Sequence, residues 1–404
     1  MHLLDFPTEL LENIAQHLES QADINALLRS SQRLYSILNA YLYSVNARVF
    51  TGSALLWAVQ YEQLQTADYA LRYGVQDLID WDREPLHCAT ETANERFVEL
   101  LLRYEAGVDC KRLNKTPLYV AAGKGYEGVA RLLLHHGADL ESNNFEGNLF
   151  RYNTPLHIAA YHGHVGIVKL FLEQGANIET ENSNESTPLL QALYGSQPAT
   201  FWLLLNHNAS IEGYEVPETI LHTAALEGNV EIVRGLLERG VGPNLKDRTG
   251  TSPLTDAALQ GCHEVVRLLV ESGVNLESRE EDGSTALSIC ASFGHETAAL
   301  ILLDCGADPN TKDSHGNTPL HKAVIHDQSS ISRALIERGA HPDVENGSGE
   351  TPIFRAVEHG KEENVRILLQ HGCNREAKRA DGITLLHLAK QYDNNVLMAI
   401  LQNE

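Results

Sequence analysis

The chain has 404 residues, of which 43% are hydrophobic, and it carries a formal net charge of −23 at pH 7. A single hydrophobic core usually stops growing at about 250–300 residues, so this length predicts several domains or a linear array. The acidic balance argues against binding to nucleic acid or to an anionic membrane surface, and it favours protein partners with basic patches.

The sequence predicts an intracellular protein, located in the cytoplasm or the nucleus. No basic region followed by an apolar run opens the sequence, so no secretory signal is expected. No apolar run reaches the ~18 residues that a membrane-spanning helix needs. The six cysteines lack Cys-x-x-Cys spacing, which is typical of reduced thiols that pack as small core residues.

The first fifty residues differ from the rest of the chain. Apolar residues at positions 10, 11, 14 and 18 lie on one face of a predicted helix, and two further helices are predicted before residue 45. The segment resembles the F-box family in the run Phe6-Pro7-Thr8-Glu9-Leu10 and in the apolar residues that follow it, namely Ile14, Leu18, Ile24, Leu27 and Leu34. Phe6 replaces the leucine usual in that family, and Ile24 stands where leucine is common.

This resemblance implies an F-box-like three-helix segment over residues 1–48 that docks on the Skp-family adaptor of a cullin–RING ubiquitin ligase. By carry-over, the residues that face the adaptor would be Phe6, Pro7, Leu10, Leu11 and Ile14. A plainer interpretation stays open, because a piece of ~45 residues buries too little surface to be stable alone. In that interpretation the segment is an N-terminal cap that covers the open edge of the first repeat.

From residue 51 onward, one motif recurs at a near-constant pitch. From Thr219 to Thr384, successive versions begin 33 residues apart, and a fixed period of this size predicts a solenoid. A solenoid functions through its surface, so interaction is expected in place of catalysis. The clear versions begin at Thr116, Thr154, Thr187, Thr219, Ser252, Thr285, Thr318, Thr351 and Thr384.

Each unit predicts two helices and a turn. In the unit that begins near residue 313, Thr318 is placed to cap a first helix, Pro319 suits the first helical position, and Gly339 closes a second helix in the left-handed conformation. In the unit before Thr219, Asn208 stands at the closing position, and asparagine is the usual second choice for that conformation. The closing glycine recurs as Gly137, Gly175, Gly240, Gly273, Gly306 and Gly372.

The unit resembles the ankyrin repeat in its T-P-L-H-x-A-A signature, its Gly163-His164 turn and its Gly306–Asn310 ending. The resemblance implies an all-α solenoid of helix-turn-helix units with short β-hairpin loops over residues 51–404. About eleven units are expected, the first two of them degenerate. We call the hairpin loops between units fingers. An insertion near Phe145–Tyr152 is expected to lengthen one of these fingers. In the last unit, Leu397, Ile400 and Leu401 are expected to be exposed.

Other chemistry is not expected. The run Gly123–Gly128 matches G-x-G-x-x-G, but it follows a predicted helix where a dinucleotide site requires a strand. The histidines of the T-P-L-H motif are expected to bond to the backbone of the turn, and the other histidines lack ligand spacing. The sequence therefore predicts a protein without catalytic residues, metal or cofactor.

The residue after the Ala-Ala of each motif, or in the unit of Phe293 the residue one further along, suggests where a target protein would bind. An apolar stripe is predicted at this position, although the same side chains would also suit half-buried contacts between repeats. The sequence thus predicts a non-catalytic substrate-recognition subunit of an SCF-type ligase; the alternative is an ankyrin scaffold or inhibitor with no ligase link. The stripe residues are Tyr161, Tyr194, Leu226, Leu259, Phe293 and Ile325, and the finger residues are Arg248, Glu281, Asp282 and His315.

Overall fold

The computed structural model describes residues 55, 58–59, 61–72, 85–142, 144–146, 151–210, 218–379 and 382–403. The F-box-like segment lies outside the described residues, and with it Phe6, Pro7, Leu10, Leu11 and Ile14. The chain forms two compact units, Met1–Ala209 (unit 1) and Ser210–Glu404 (unit 2). Both are built from short helices.

In unit 1 the elements are α1 Leu64–Arg72, α2 Pro85–Glu91, α3 Glu95–Arg103, α4 Pro117–Lys124, α5 Glu127–His135, β1 Asn144–Glu146, β2 Arg151–Asn153, α6 Pro155–Tyr161, α7 Val165–Glu173, α8 Pro188–Tyr194 and α9 Pro198–Asn206. In unit 2 they are α10 Glu218–Leu226, α11 Val230–Glu238, α12 Pro253–Gln260, α13 His263–Glu271, α14 Ala286–Phe293, α15 Glu296–Asp304, α16 Pro319–Ile325, α17 Ser329–Glu337, α18 Pro352–Glu358, α19 Glu362–Gln370, α20 Leu385–Gln391 and α21 Asn395–Asn403.

The helices of each unit pack in two layers. The first helices of successive repeats lie side by side, as do the second helices, and the two helices of one repeat join the layers. In unit 1 the first layer is α2, α4, α6 and α8, and the second is α3, α5, α7 and α9. In unit 2 the even-numbered helices α10 to α20 form the first layer and the odd-numbered α11 to α21 the second. This arrangement confirms the repeating all-α architecture that the sequence predicts.

Residues at the helix ends explain why the helices start and stop where they do. Thr116 and Ser252 cap α4 and α12, since their hydroxyl oxygens accept from backbone N–H groups at 3.3 Å and 3.2 Å. Such a cap stabilises a helix by ~1 kcal/mol. At the other end of a repeat, Gly306 has φ 93° and Asn208 has φ 64°, so the asparagine takes the left-handed conformation predicted for it. The other closing glycines also have positive φ.

The core lies between the two layers. Small residues such as Ala121, Ala159 and Ala257 are fully buried on the first helices and let neighbouring helices approach closely. Larger side chains on the second helices, among them Phe97 and Phe171, fill the space behind them. Burying such a side chain stabilises the folded state by roughly 1.5–3 kcal/mol.

Two further predictions concern the ends of the array and its insertion. The insertion does lengthen one finger, because β1 and β2 pair as an antiparallel hairpin in which Phe145 is opposite Tyr152. The expectation for the last repeat was wrong: Leu397, Ile400 and Leu401 are buried. They lie on the α21 face that packs against α19 and α20, and the sequence pattern alone does not distinguish that face from an outer one.

Candidate protein-binding surface

In several repeats a histidine on the first helix fixes the position of the finger that follows. His157 Nε2 lies 2.9 Å from the carbonyl oxygen of Ser186, and His321 Nε2 lies 3.0 Å from that of Glu350. The other ring nitrogen of His157 lies 2.8 Å from the Thr154 hydroxyl. Burial lowers the pKa of His157 and His321 to about 4, so both rings are neutral.

The same carbonyl contact occurs at His87, with Lys115, and at His222, with Thr251. The predicted structural role of the motif histidines is thereby confirmed for these four repeats. At His157 and His321, a neutral ring that bonds to the fold through both nitrogens is a poor candidate for a metal ligand or a catalytic base.

A second periodic contact joins the fingers of unit 2. Lys246 Nζ donates to the carbonyl oxygen of Arg279 at 2.9 Å, and Arg279 Nη1 donates to that of Lys312 at 2.8 Å. Lys312 Nζ repeats the contact with Glu345 at 2.8 Å. Each cation spans one repeat, so it holds two fingers together and is already engaged with backbone.

The predicted stripe is partly exposed in unit 1. Tyr161 and Tyr194 end the adjacent helices α6 and α8, and each is 41% exposed. The Tyr161 ring also lies edge-on to His162, with centroids 5.2 Å apart. Two tyrosines at equivalent repeat positions present a large, rigid contact area of the kind that anchors interfaces.

In unit 2 the stripe divides into exposed and half-buried members. Leu259 is 39% exposed and Phe293 is 58% exposed, whereas Leu226 and Ile325 are half-buried. Phe293 stacks on His295 with centroids 6.2 Å apart, and His295 Nε2 lies 3.0 Å from the carbonyl oxygen of Leu259. The structure thus places Leu259 and Phe293 together on neighbouring helices, and whether they bind a target stays a prediction.

The predicted finger residues differ in their surroundings. Arg248, Glu281 and His315 are exposed. Asp282 is exposed too, but its carboxylate accepts the backbone N–H and the hydroxyl of Ser284, each at 2.9 Å. Asp282 therefore shapes its own turn in addition to any contact with a partner.

Sequence reasoning missed two exposed apolar residues on the fingers of unit 1. Leu113 is 84% exposed with φ 51°, a conformation that costs a leucine roughly 1–2 kcal/mol. Tyr152, on β2, is 47% exposed. The signal for Leu113 was available, because most fingers of unit 2 carry a glycine in their turn and this one has Leu113-Asn114.

Sequence reasoning also missed a group of acidic side chains in unit 2. Asp256 is the fourth residue of α12, and the charges of His222, Asp247 and Glu280 act on its carboxyl group. Burial raises the pKa of Asp256 to about 7; His222 opposes this rise, and Asp247 and Glu280 add to it. No periodicity indicates this cluster, because its members come from one helix and two different fingers.

The described residues do not assemble other functional sites. The Gly123–Gly128 run contains the end of α4, a left-handed Gly125 and the start of α5, so a helix stands where a dinucleotide site has a strand. Among the residues that the structure describes, no three His, Cys, Asp or Glu side chains are grouped to hold a metal ion. Within the same residues, no helix has the length and apolar content needed to cross a membrane.

Comparison with known proteins identifies the family. The family model described as "Ankyrin repeats (3 copies)" matches residues 55–144, 142–215, 210–280, 272–346 and 338–404. These ranges cover most of the chain, so it belongs to the ankyrin-repeat family. Ankyrin repeats are generally non-catalytic modules for protein–protein interaction, so the repeats of this chain imply interaction with other proteins.

Three relatives show how widely the repeats are used. The chain is 30% identical over 164 residues to potassium channel AKT2/3 of Arabidopsis thaliana, covering 40% of this chain and 16% of the relative. It is 43% identical over 145 residues to palmitoyltransferase ZDHHC13 of Mus musculus, covering 35% and 22%. It is 45% identical over 62 residues to ankyrin repeat and SOCS box protein 11 of Danio rerio, covering 15% and 21%. Because each match covers less than a quarter of the relative, none of their named activities extends to this chain.

Proposed function

We propose that this chain is a substrate-recognition subunit of an SCF-type ubiquitin ligase, in which the repeats hold a target protein. The observation that supports target binding is the exposure of Tyr161, Tyr194 and Leu259 at one repeated position, together with Phe293 one residue further in its own repeat. A polar residue would be expected there if the position served only to face solvent. The target is a protein, and the acidic charge of the chain favours a basic patch on it.

The ligase link in this proposal rests on residues 3–45, whose pattern resembles the F-box. The Skp-family adaptor would bind Phe6, Pro7, Leu10, Leu11 and Ile14, and the target would bind the first-helix layer and fingers. The subunit would then contribute by raising the effective concentration of the target near the ubiquitin carrier. A relative whose name pairs ankyrin repeats with a SOCS box offers a precedent for a repeat array beside a second short module.

A binding experiment with the purified Skp-family adaptor tests the ligase link. The parent chain should bind, whereas a Pro7→Ala/Leu10→Asp variant and a chain that begins at residue 51 should not. Glu12→Lys is the matched control, because position 12 lies off the apolar face formed by positions 10, 11, 14 and 18. Loss of binding in Glu12→Lys alone would assign the contact to charge and not to the apolar face.

If the folded parent does not bind the adaptor, the ligase link is wrong. The chain would then be a scaffold or inhibitor whose N-terminal segment serves as a cap. Circular dichroism of every variant, compared with the parent, separates loss of adaptor binding from loss of the fold.

A further inference from the structure

The fourth residue of the first helix joins that helix to its finger in two repeats of unit 2. Lys322 Nζ lies 2.8 Å from Asp313 Oδ2, and Arg355 Nη1 lies 3.4 Å from Glu350 Oε2. Both carboxylates are on buried residues. In these repeats a cation on the helix therefore neutralises a carboxylate that burial would otherwise penalise.

In α12 the same position holds Asp256, so the cation is replaced by a third carboxyl group beside Asp247 and Glu280. Among the described residues, no lysine or arginine forms an ion pair with Asp256 or Glu280. One carboxyl oxygen of Asp256 and one of Glu280 are shielded from solvent and lack a hydrogen-bond partner, as does Asp313 Oδ2, whose charge is neutralised by Lys322. Compared with the repeats of α16 and α18, the repeat of α12 has carboxylates near this position and lacks the cation.

The cations of the adjacent fingers do not fill this place. Lys246 and Arg279 are engaged with backbone carbonyl oxygens one finger further along, at 2.9 Å and 2.8 Å. His222, the basic group whose charge acts on Asp256, lies 2.9 Å from the carbonyl oxygen of Thr251 through Nε2. A cation that completes the pair must therefore come from outside this group of residues.

Apolar side chains lie next to the acidic cluster. Leu259 follows Asp256 by three residues on α12, so the two share a helix face. Phe293, on the neighbouring helix α14, stacks on His295, whose Nε2 lies 3.0 Å from the carbonyl oxygen of Leu259. An exposed aliphatic–aromatic pair beside an unneutralised carboxyl group defines the chemistry of a complementary ligand.

We infer that the face formed by Asp256, Leu259 and Phe293 binds a protein segment in which a lysine or arginine lies next to an aliphatic or aromatic side chain. The partner's cation takes the role that Lys322 has in α16, and its apolar side chain covers Leu259 and Phe293. This inference rests on the proposed target-binding function and names the class of target. Charge complementarity supports it, since the chain carries −23 and the adjacent finger tip adds Glu281.

Binding of a cation at this face must be coupled to release of a proton. Burial, opposed by His222 and reinforced by Asp247 and Glu280, gives Asp256 a pKa of about 7. The ionised carboxylate is the form that pairs with a cation. Affinity should therefore rise about tenfold between pH 6 and pH 8, as the ionised fraction grows.

Selection of short random peptides displayed on phage, with the full chain as bait, tests the inference. Enriched peptides should carry Lys or Arg beside Leu, Ile, Phe, Tyr or Trp. Their affinities are then measured by fluorescence anisotropy at pH 6 and pH 8. Asp256→Lys places a cation where Lys322 stands in α16, so it should weaken peptide binding about tenfold or more without lowering the melting temperature.

Two further variants complete the test. Phe293→Ser should also weaken binding, because it removes the apolar contact. Glu271→Lys makes the same change of charge on the second-helix layer and should leave affinity unchanged, which separates the local cluster from the overall field of the protein. A melting temperature that holds while peptide binding falls excludes a merely structural role for Asp256.

Three results would overturn the inference: no peptide is enriched, the enriched peptides lack a cation, or Asp256→Lys binds them as the parent does. Binding that depends on Phe293 alone would show an apolar interaction surface without the cation site. None of these results bears on adaptor binding, so failure here and failure of the ligase proposal are distinguishable.

Discussion

Replacing Asp256 by asparagine should stabilise the chain, and the gain should grow as the pH rises. In the folded state the carboxyl group has a pKa of about 7, mainly because of burial, against an ordinary value of 3.8. Since the folded pKa is raised, the folded state binds the proton more tightly than the unfolded state does. The protonated Asp256 carboxyl group therefore makes its full contribution to the free energy of unfolding below about pH 4, and this contribution is lost as the pH rises towards 7.

The size of the effect follows from the two pKa values. A difference of about three units corresponds to roughly 4 kcal/mol when both states are ionised. By pH 5 the unfolded carboxyl group is already mostly ionised, so roughly 2–3 kcal/mol of the penalty develops between pH 5 and pH 8. Asparagine keeps the size of the side chain and cannot ionise, so the variant escapes this penalty.

Urea unfolding followed by circular dichroism, at several pH values from 5 to 8, measures the difference between the Asp256→Asn variant and the parent. Tryptophan fluorescence is unsuited, because Trp57, Trp81 and Trp202 all precede unit 2. Glu281→Gln, at an exposed position in the neighbouring finger, is the control and should change the free energy of unfolding by less than about 0.5 kcal/mol. A gain that is the same at pH 5 and pH 8, or a loss of stability at pH 8, would refute the reasoning.

Three other perturbations follow from the repeat geometry. His321→Ala should destabilise by roughly 2–4 kcal/mol in urea unfolding because it leaves buried partners unsatisfied, whereas His387→Ala, at an exposed ring, should cost less than about 1 kcal/mol. Because burial gives His321 a pKa of about 4, its contribution should be lost as the pH falls from 6.5 towards 4, and a parent whose stability is flat over that range would contradict this. Gly306→Val should cost on the order of 1 kcal/mol or more because valine resists the left-handed conformation, while Asn208→Gly should be nearly neutral; equal melting curves for Gly306→Val and the parent would remove the repeat boundary at that glycine. Leu113→Asn should raise stability by ~1 kcal/mol by relieving a positive φ, and an unchanged melting temperature would show that the turn is not strained.

The sequence was a good guide to the helices because their ends depend on nearby residues. Thr318 and Pro319 begin a helix, and Gly339 ends the next, through hydrogen bonds and φ preferences that act within one turn. Asn208 is the clearest case, since its left-handed conformation followed from its place in the repeat. Predictions of exposure were wrong where burial depends on a neighbouring helix. Leu397, for example, was predicted to be exposed and is buried.

The candidate surface was less predictable. Whether the stripe binds a target stays a prediction, and the sequence pattern did not show that Phe293 is exposed and Ile325 half-buried, because exposure depends on how closely the next helix packs. Leu113 was missed because the helical periodicity does not extend into the turns, although its turn lacks glycine. Asp256 was missed because a single acidic residue at a helix position is ordinary until its neighbours are known.

The sequence by itself determined the repeat, the two helices of each unit and the lengthened finger, because all of these depend on residues close together in the chain. Only the tertiary structure showed that Asp256 stands beside Asp247 and Glu280 in the place that Lys322 and Arg355 fill with cations elsewhere. Electrostatic free energy depends on distance in space and on burial, and neither is encoded in the spacing of residues along a repeat. The repeat array can therefore be predicted from the local periodicity of the sequence, whereas its candidate binding chemistry depends on contacts between fingers and helices.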